Sequence, residues 1–211
     1  MSSIKLESNP SGSGIFTIAS PNSNTNRTLT LPDNTGTILT TGGTISTSQL
    51  PAGSVIQVVS ATKTDTLSTS STSFTDLTGL SVSITPTSAS SKILIIYNVN
   101  VGWDQYRGLQ LRLMRDSTAI CIGDAAGSRS RSSNTTFADT TWSFDTRAMW
   151  CLSNNFLDSP STTSATTYKL QIGAIGETDG TNVYVNRSST DGDSSVYGRT
   201  ASTITVMEIA A

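Results

Sequence analysis

The stretch that decides the fold class is Lys92-Ile93-Leu94-Ile95-Ile96-Tyr97-Asn98-Val99-Asn100-Val101. It begins as a continuous run of apolar residues, many of them β-branched, and ends in apolar–polar alternation. This pattern predicts a central β-strand whose far end reaches a wetter edge of its sheet. The next segment, Gly108–Arg115, alternates clearly and predicts a strand with one buried face.

Strand patterns continue on both sides of this pair. No segment shows a convincing apolar period of 3.6 residues, so the whole chain is expected to be all-β. Eight or nine strands at short spacing with polar turns predict an antiparallel, jelly-roll-like β-sandwich over residues 51–211. Besides the two segments above, the candidate strands are residues 54–60, 79–85, 118–122, 147–152, 167–172, 182–186 and 202–209.

Residues 1–50 have a different organisation, with segments of about four residues interrupted by turn residues. The candidate strands are residues 4–7, 15–18, 27–31 and 37–39, each with only two or three apolar side chains. Such ministrands cannot enclose a core within one chain, but copies from other chains can complete it. We therefore predict a short intertwined β-stem, with three-fold symmetry as the simplest solution for a fibre.

The composition excludes several classes of partner. Apolar residues make up 35% of the 211 residues and charged residues 13%, while Ser and Thr supply about a third, which suits an extended β-structure. A net charge of −2 gives no broad attraction to nucleic acid. There is no apolar run long enough for membrane insertion and no signal-peptide core at the start, so synthesis in the cytosol of a soluble chain is expected.

Catalysis and metal binding are also not expected. The sequence contains no histidine, which removes the commonest general base and the commonest zinc ligand. Carboxylate-only catalysis is still possible in principle, but no pair of carboxylates is singled out, and we predict no enzymatic activity and no cofactor. Asp179-Gly180 and Asp191-Gly192-Asp193 are read as turns and not as calcium ligands. Cys121 and Cys151 lie in apolar runs and are expected to be buried reduced thiols, with a bridge between them left open.

Two loops contain candidate receptor-binding residues. Trp103, Asp104 and Tyr106 lie between two strong strands, in an expected hairpin loop at one end of the sandwich. An aromatic face beside a carboxylate suits sugar binding, although the aromatic side chains would equally serve to pack the sandwich end or a trimer axis.

The second loop, residues 127–136, is the longest loop candidate and is followed by Trp142. Its Arg129 and Arg131 are candidates for contact with an anion or carbohydrate. The alternatives are a solvated loop or an ordered strap between subunits.

The stretch Asn26-Arg27-Thr28-Leu29-Thr30-Leu31-Pro32-Asp33-Asn34-Thr35-Gly36-Thr37-Ile38-Leu39 resembles a segment that recurs in tail-fibre and related appendage proteins of tailed bacteriophages. The wider C-terminal region also resembles the distal domain of such proteins, in pieces such as Pro51–Gln57, Leu113–Thr118 and Val183–Ser188. The resemblance covers most of the chain, and none of its motifs is catalytic.

This resemblance implies a homotrimeric virion protein with a stem and a knob, assembled in the host cytoplasm. Residues 1–50 would attach to another virion protein, and the knob would recognise a bacterial surface glycan or protein. A head fibre, decoration protein or baseplate component with a purely structural role is the alternative.

Overall fold

The computed structural model describes residues 10–15, 17, 22–26, 28, 45–104, 108–137, 145–175 and 182–211. The chain divides into two compact units, Met1–Gly43 and Thr44–Ala211. The ministrands expected within residues 1–50 lie wholly or largely outside the described residues, so the division into a stem and a knob at residue 50 stays a prediction. The fold below is that of the second unit.

The second unit is all-β apart from one 3-10 turn, Thr47–Gln49, in its described part. The strands are β1 (Val55–Lys63), β2 (Leu67–Thr69), β3 (Thr75–Ile84), β4 (Lys92–Trp103), β5 (Gly108–Arg115), β6 (Thr118–Ile120), β7 (Asn134–Phe137), β8 (Trp150–Asp158), β9 (Thr166–Ile175), β10 (Val183–Val185) and β11 (Ser202–Ile209). All of their pairings are antiparallel. The predicted all-β fold class is confirmed.

The strands form two sheets. In the six-stranded sheet the order is β1-β11-β4-β10-β2, with β8 also pairing with β4. In the five-stranded sheet it is β3-β9-β5-β6, with β7 also pairing with β5. Successive long strands alternate between the sheets, so most pairings join distant parts of the chain, as in a jelly-roll sandwich.

The core lies between the two sheets and is built from the inward side chains of alternating strands. β4 and β11 contribute from the six-stranded sheet, and β5 and β9 contribute from the five-stranded sheet. The period-2 pattern read from the sequence is what places these residues on one face of each strand. Fully enclosed members include Ile93, Ile95, Tyr97, Leu109, Leu111, Leu113, Tyr168, Leu170, Ile172, Ile204 and Val206.

An ion pair between a buried carboxylate and a half-buried arginine also joins the two sheets. Asp158 of β8 accepts hydrogen bonds from Arg115 Nη1 of β5 at 2.8 and 3.0 Å, and from the phenol of Tyr168 in β9 at 2.7 Å. Removing either donor would leave an inadequately paired carboxylate in the interior, which is costly. The contact therefore fixes one end of the sandwich.

The hairpin of β5 and β6 follows directly from the sequence. Its two-residue loop, Asp116-Ser117, lies between the predicted strands 108–115 and 118–122, and Asp116 has a positive φ of 52°. Aspartate tolerates this conformation better than most residues, which suits a tight hairpin.

Several sequence-based expectations are wrong. The segment after Trp103 is not a hairpin loop, because β4 and β5 belong to different sheets. The far end of β4 is wetter only in part, because Asn98 is exposed and Asn100 half-buried on the outer face, whereas the last residues of the strand, through Trp103, are buried. The apolar run at the start of β4 reflects an apolar outer face of the sheet and not burial on both sides.

The cysteine expectation needs a similar correction. Both thiols are free, but Cys151 is exposed and Cys121 is only partly buried. Cys151 is exposed because it points outward from β8, as do Ser153, Asn155 and Leu157 at the alternate positions. An apolar sequence context does not identify which face of a strand a side chain occupies.

Candidate functional site

Trp103 is the last residue of β4 and lies inside the sandwich, where it is only 2% exposed. Its indole stacks on that of Trp150 at the start of β8, with ring centroids 4.1 Å apart and planes inclined by 21°. One face of the ring is therefore covered by another side chain. This position fits the alternative that the aromatic side chain packs the end of the sandwich.

Asp104 follows Trp103 and accepts hydrogen bonds from three groups. The backbone N–H of Asn182 donates at 2.7 Å, and the hydroxyl of Ser189 donates at 2.5 Å. The phenol of Tyr184 lies 3.0 Å from both carboxylate oxygens. Burial, followed by this contact with Asp104, raises the pKa of Tyr184. Asp104 therefore fastens the end of β4 to the segment around β10.

Tyr106 and Trp142 lie outside the described residues. As receptor contacts, these two and the four described candidates all stay predictions. The four described candidates have different surroundings. Trp103 is buried and Asp104 is hydrogen-bonded within the fold, whereas Arg129 and Arg131 are exposed.

The arginine loop folds back on itself beside the five-stranded sheet. Arg131 donates from Nε to the carbonyl of Gly123 at 2.7 Å, and Arg112 of β5 donates from Nη2 to the carbonyl of Arg131 at 3.1 Å. The backbone N–H of Arg129 bonds to the carbonyl of Ala126. The side chains of Arg129 and Arg131 are exposed. The end of the predicted loop is not irregular, because Asn134–Phe137 forms β7 against β5.

This loop borders an open cleft of about 460 Å³ on the outer face of the five-stranded sheet. Hydroxyl groups, one primary amide, one guanidinium and one short apolar patch line the cleft. The lining residues are Thr72, Gln110, Arg129, Ser130, Ser132, Thr135, Ala174 and Ile175. The volume lies within the range of small-molecule sites, although the lining is more polar than is usual.

Gln110 is the most unusual member of the cleft. It is only 5% exposed, and its side-chain carbonyl oxygen Oε1 has no hydrogen-bond partner among the described residues. Gln110 lies opposite Gly173 in the β5–β9 ladder, where a Cβ would stand 3.3 Å from Gln110 Nε2. The missing side chain at Gly173 thus makes room for the amide. Alternation in β5 placed Gln110 on the outward face, but no sequence signal indicated that loops would cover it.

The cationic side of the cleft is not neutralised within the described part of the chain, where Arg112, Arg129 and Arg131 form no ion pair. The guanidinium of Arg112 stacks over the ring of Phe74, 3.6 Å from its centroid. Burial lowers the pKa of Arg112, and the positive charge of Arg131 lowers it further. By contrast Arg147, the other arginine near this region of the sequence, pairs with Asp145 at 2.8 Å.

The opposite outer face, on the six-stranded sheet, has an apolar row across four strands. Val58 of β1 pairs with Met207 of β11, Met207 pairs with Leu94 of β4, and Leu94 pairs with Leu157 of β8. All four side chains point away from the core, and Val58 and Leu157 are 55% and 54% exposed. We refer to these four residues as the apolar row. Contiguous exposed apolar surface of this kind is typical of a contact surface.

Other kinds of site are not apparent in the described residues. No cluster of His, Cys, Asp or Glu there is arranged to hold a metal ion. Asp191 is engaged by Arg187 at 3.2 Å and by Arg199 at 2.7 Å. No helix in the part of the chain that the structure describes is long and apolar enough to cross a membrane.

Comparison with known proteins gives little beyond the fold. No protein-family model matches the chain, and no curated protein matches it. Among solved structures, one similar chain is from the Gt strain of infectious bursal disease virus, with a TM-score of 0.37, 14% identity, and coverage of 74% of this chain and 38% of that chain. Another is a mutant VP2 protein of infectious bursal disease virus in derived T=1 particles, with a TM-score of 0.36, 12% identity, and coverage of 74% and 36%. The protein thus spans less than half the length of these viral chains. The structural likeness is too distant to indicate a function.

Proposed function

We propose that this chain is a virion structural protein of a tailed bacteriophage, namely the subunit of a homotrimeric tail fibre. Residues 1–50 attach it to another virion protein, and the sandwich recognises a bacterial surface glycan or protein. The proposal is supported by the segment of residues 26–39, which resembles phage appendage proteins, and by the arrangement of the two outer faces of the sandwich.

The observation that carries the proposal is the apolar row. It crosses four strands of one sheet and leaves Val58 and Leu157 more than half exposed. A second copy of the same chain would cover this row in a closed symmetric assembly, and three copies around an axis match the ministrand stem. The occupant we assign to the row is therefore a second copy of this chain.

If the sandwich recognises a host surface, the five-stranded sheet must lie on the outside of the assembly. The cleft beside Gln110 and the arginine loop lies on the five-stranded sheet, on the side of the sandwich opposite the apolar row. Self-association through one sheet leaves the cleft open on the other. This arrangement favours a fibre knob that combines structural and adhesive roles.

The absence of chemistry is also part of the proposal. The buried carboxylates Asp158 and Glu208 are each engaged by several fixed donors. Hydrogen bonds from Lys63, Lys169 and Arg147 hold the pKa of three exposed carboxyls below the ordinary value, those of Asp65, Asp76 and Asp145 respectively. A glycosidase acid needs the opposite shift.

Three measurements on the full-length protein and the virion test the proposal. Native mass spectrometry is expected to give three chains per particle, and a stable monomer would contradict the trimer. Cryo-electron microscopy is expected to place the subunit in the tail, whereas a position on the head or baseplate would favour the purely structural alternative. Soluble trimer at micromolar concentration is expected to bind host cells and to compete with phage adsorption, and a lack of cell binding would remove the adhesive role.

A further inference from the structure

We propose that the cleft on the outer face of the five-stranded sheet binds a sugar residue that bears a carboxylate. The inference rests on the proposed role in recognising the host surface, and it adds a location and a ligand class to that role. We refer to this cleft as the Gln110 cleft. Its polar groups are arranged in two parts, a hydrogen-bonding floor and a cationic rim.

The floor of the cleft includes the buried side-chain oxygen of Gln110. Gln110 Oε1 is buried and unpartnered among the described residues, although an unsatisfied buried acceptor costs about 1–3 kcal/mol. The oxygen has almost no accessible surface in this conformation, so it meets a ligand hydroxyl group when the amide turns toward the cleft. A polyhydroxylated ligand is therefore better matched to this floor than an apolar one.

The walls have the same character. Thr72, Ser130, Ser132 and Thr135 provide hydroxyl groups, each of which both donates and accepts. The half-buried Ile175 adds a short apolar patch that suits the C–H face of a sugar ring, whereas the Ala174 side chain points into the core. Many alternating donors and acceptors beside a small apolar surface are the complement of a saccharide.

The rim provides the preference for negative charge. Arg129 lines the cleft, and its guanidinium has no carboxylate partner among the described residues. Arg112 and Arg131 add positive charge beside it, and the backbone of this loop is held by the bonds to Gly123 and Ala126. Guanidinium groups bind carboxylates through short, charge-assisted hydrogen bonds. A carboxylate on the sugar would neutralise this uncompensated charge.

Three probes separate the ligand classes in one experiment on the full-length protein. D-Galacturonate has both the hydroxyl groups and the carboxylate, D-galactose has only the hydroxyl groups, and acetate has only the carboxylate. Saturation-transfer NMR and calorimetry are expected to give a millimolar dissociation constant for galacturonate, about tenfold weaker binding of galactose, and no measurable binding of acetate. Equal binding of galactose and galacturonate, binding of acetate as strong as that of galacturonate, or no binding of galacturonate would each overturn the proposal.

Variants locate the binding within the fold. Arg129→Gln is expected to lower galacturonate affinity to the level of galactose, whereas the matched variant Arg147→Gln should leave it unchanged. Gln110→Leu is expected to abolish binding of both sugars. Because Gln110→Leu changes a buried position, Thr135→Val serves as an additional variant at a more exposed wall, with an expected loss of about fivefold or more. Equal affinities of the Arg129→Gln and Arg147→Gln proteins would overturn the assignment to this cleft.

The same variants distinguish failure of this inference from failure of the proposed function. If host-cell binding by the trimer is unchanged in Arg129→Gln and Gln110→Leu, recognition does not use the Gln110 cleft, and the fibre role stands without it. If galacturonate binds the cleft but the subunit is absent from the virion, the fibre role fails and the sugar site stands.

Discussion

The indole rings of Trp103 and Trp150 stack at 4.1 Å between centroids across two neighbouring strands of the six-stranded sheet. Trp103 ends β4 inside the sandwich, and Trp150 begins β8 with 40% of its surface exposed. The outer ring therefore covers the inner one at the end of the core. Trp103, a candidate for ligand contact, therefore packs the end of the core, and its contact with a receptor stays a prediction.

Replacement of Trp150 by alanine is expected to lower the free energy of unfolding by about 2 kcal/mol. Two contributions are lost: the shielding of the Trp103 ring from water, and the stacking energy of the two rings, which is about 0.5–1.5 kcal/mol. Urea denaturation checks the value, and near-ultraviolet circular dichroism checks the loss of the coupled indole signal. Trp150→Phe is the matched control. Because it keeps an aromatic ring against Trp103, it should lower the free energy of unfolding by about half as much as Trp150→Ala does. A change below about 0.5 kcal/mol for Trp150→Ala would show that the stack is incidental.

Glu208 is expected to stabilise the fold in its charged form. Burial by itself opposes ionisation, but hydrogen bonds from Gln57 and Thr87 outweigh it and hold the pKa of Glu208 below its ordinary value. A group with a lowered pKa contributes stability that is present above its unfolded-state pKa and is lost as the pH falls through the folded one. Glu208→Gln should therefore cost about 1.5–3 kcal/mol at pH 7 and less at pH 3.

Urea denaturation of Glu208→Gln and of the parent chain at both pH values checks this expectation. Asp193→Asn removes an exposed carboxylate and is the control for the change in net charge. A cost for Glu208→Gln that does not depend on pH would mean that shape, and not charge, determines its effect.

Alkaline pH is expected to destabilise the protein through Tyr97. Burial raises the pKa of Tyr97 to about 12, from an ordinary value of 10.0. Because the folded state holds this proton more tightly than the unfolded state does, stability is complete below pH 10 and falls between pH 10 and 12. Tyr97→Phe should cost about 1 kcal/mol at pH 7, through the lost hydrogen bond to Asn134, but should lose less stability between pH 9 and pH 11. Denaturation curves that shift in parallel for both proteins would refute this mechanism.

A charge in the apolar row is expected to disrupt the assembly without unfolding the subunit. Leu157→Asp places a carboxylate at a half-exposed position, where it costs the fold little but prevents burial against a second copy. Native mass spectrometry should then show a shift from trimer to monomer. Asn155→Asp adds the same charge to the same face of β8 and should stay trimeric. Trimers of Leu157→Asp at low protein concentration would show that the row is not the contact surface.

Alternation along single strands could be predicted from the sequence, and the pairing between strands could not. The bounds of β5 and β11 match the predicted 108–115 and 202–209 because both strands have apolar side chains facing the core at every second position, although most of the outer face of β5 is buried as well. By contrast, the Trp103–Gly108 connection was expected to join paired strands, whereas it crosses between sheets. Pairing depends on contacts between residues far apart in the chain, which leave no local pattern.

The residues of the candidate site also divide into those marked by a local sequence pattern and those that depend on long-range contacts. Arg129 and Arg131 could be singled out because two cations in a polar loop are a local signal. Gln110 and Trp150 could not be singled out, because the role of each depends on a residue far away in the sequence. Gln110 needs the space left by Gly173, and Trp150 needs the ring of Trp103. Strand β7 was missed because Asn134-Thr135-Thr136-Phe137 has only one apolar side chain and forms a strand by pairing with β5.

The pairing of β1 with β11 places the first long strand of the sandwich beside the last one. During synthesis, Val55–Lys63 leaves the ribosome long before its neighbour Ser202–Ile209 exists, and β11 also separates β1 from β4. Until β11 emerges, β1 and β4 of the six-stranded sheet therefore have open edges with unpaired N–H and C=O groups. Strand edges of this kind are sites of mispairing, and non-local pairing makes folding slow. A nascent chain is therefore expected to need protection from its neighbours until β11 has been made, and a nonsense codon upstream of Ser202 would yield an aggregation-prone product instead of a slightly shortened sandwich.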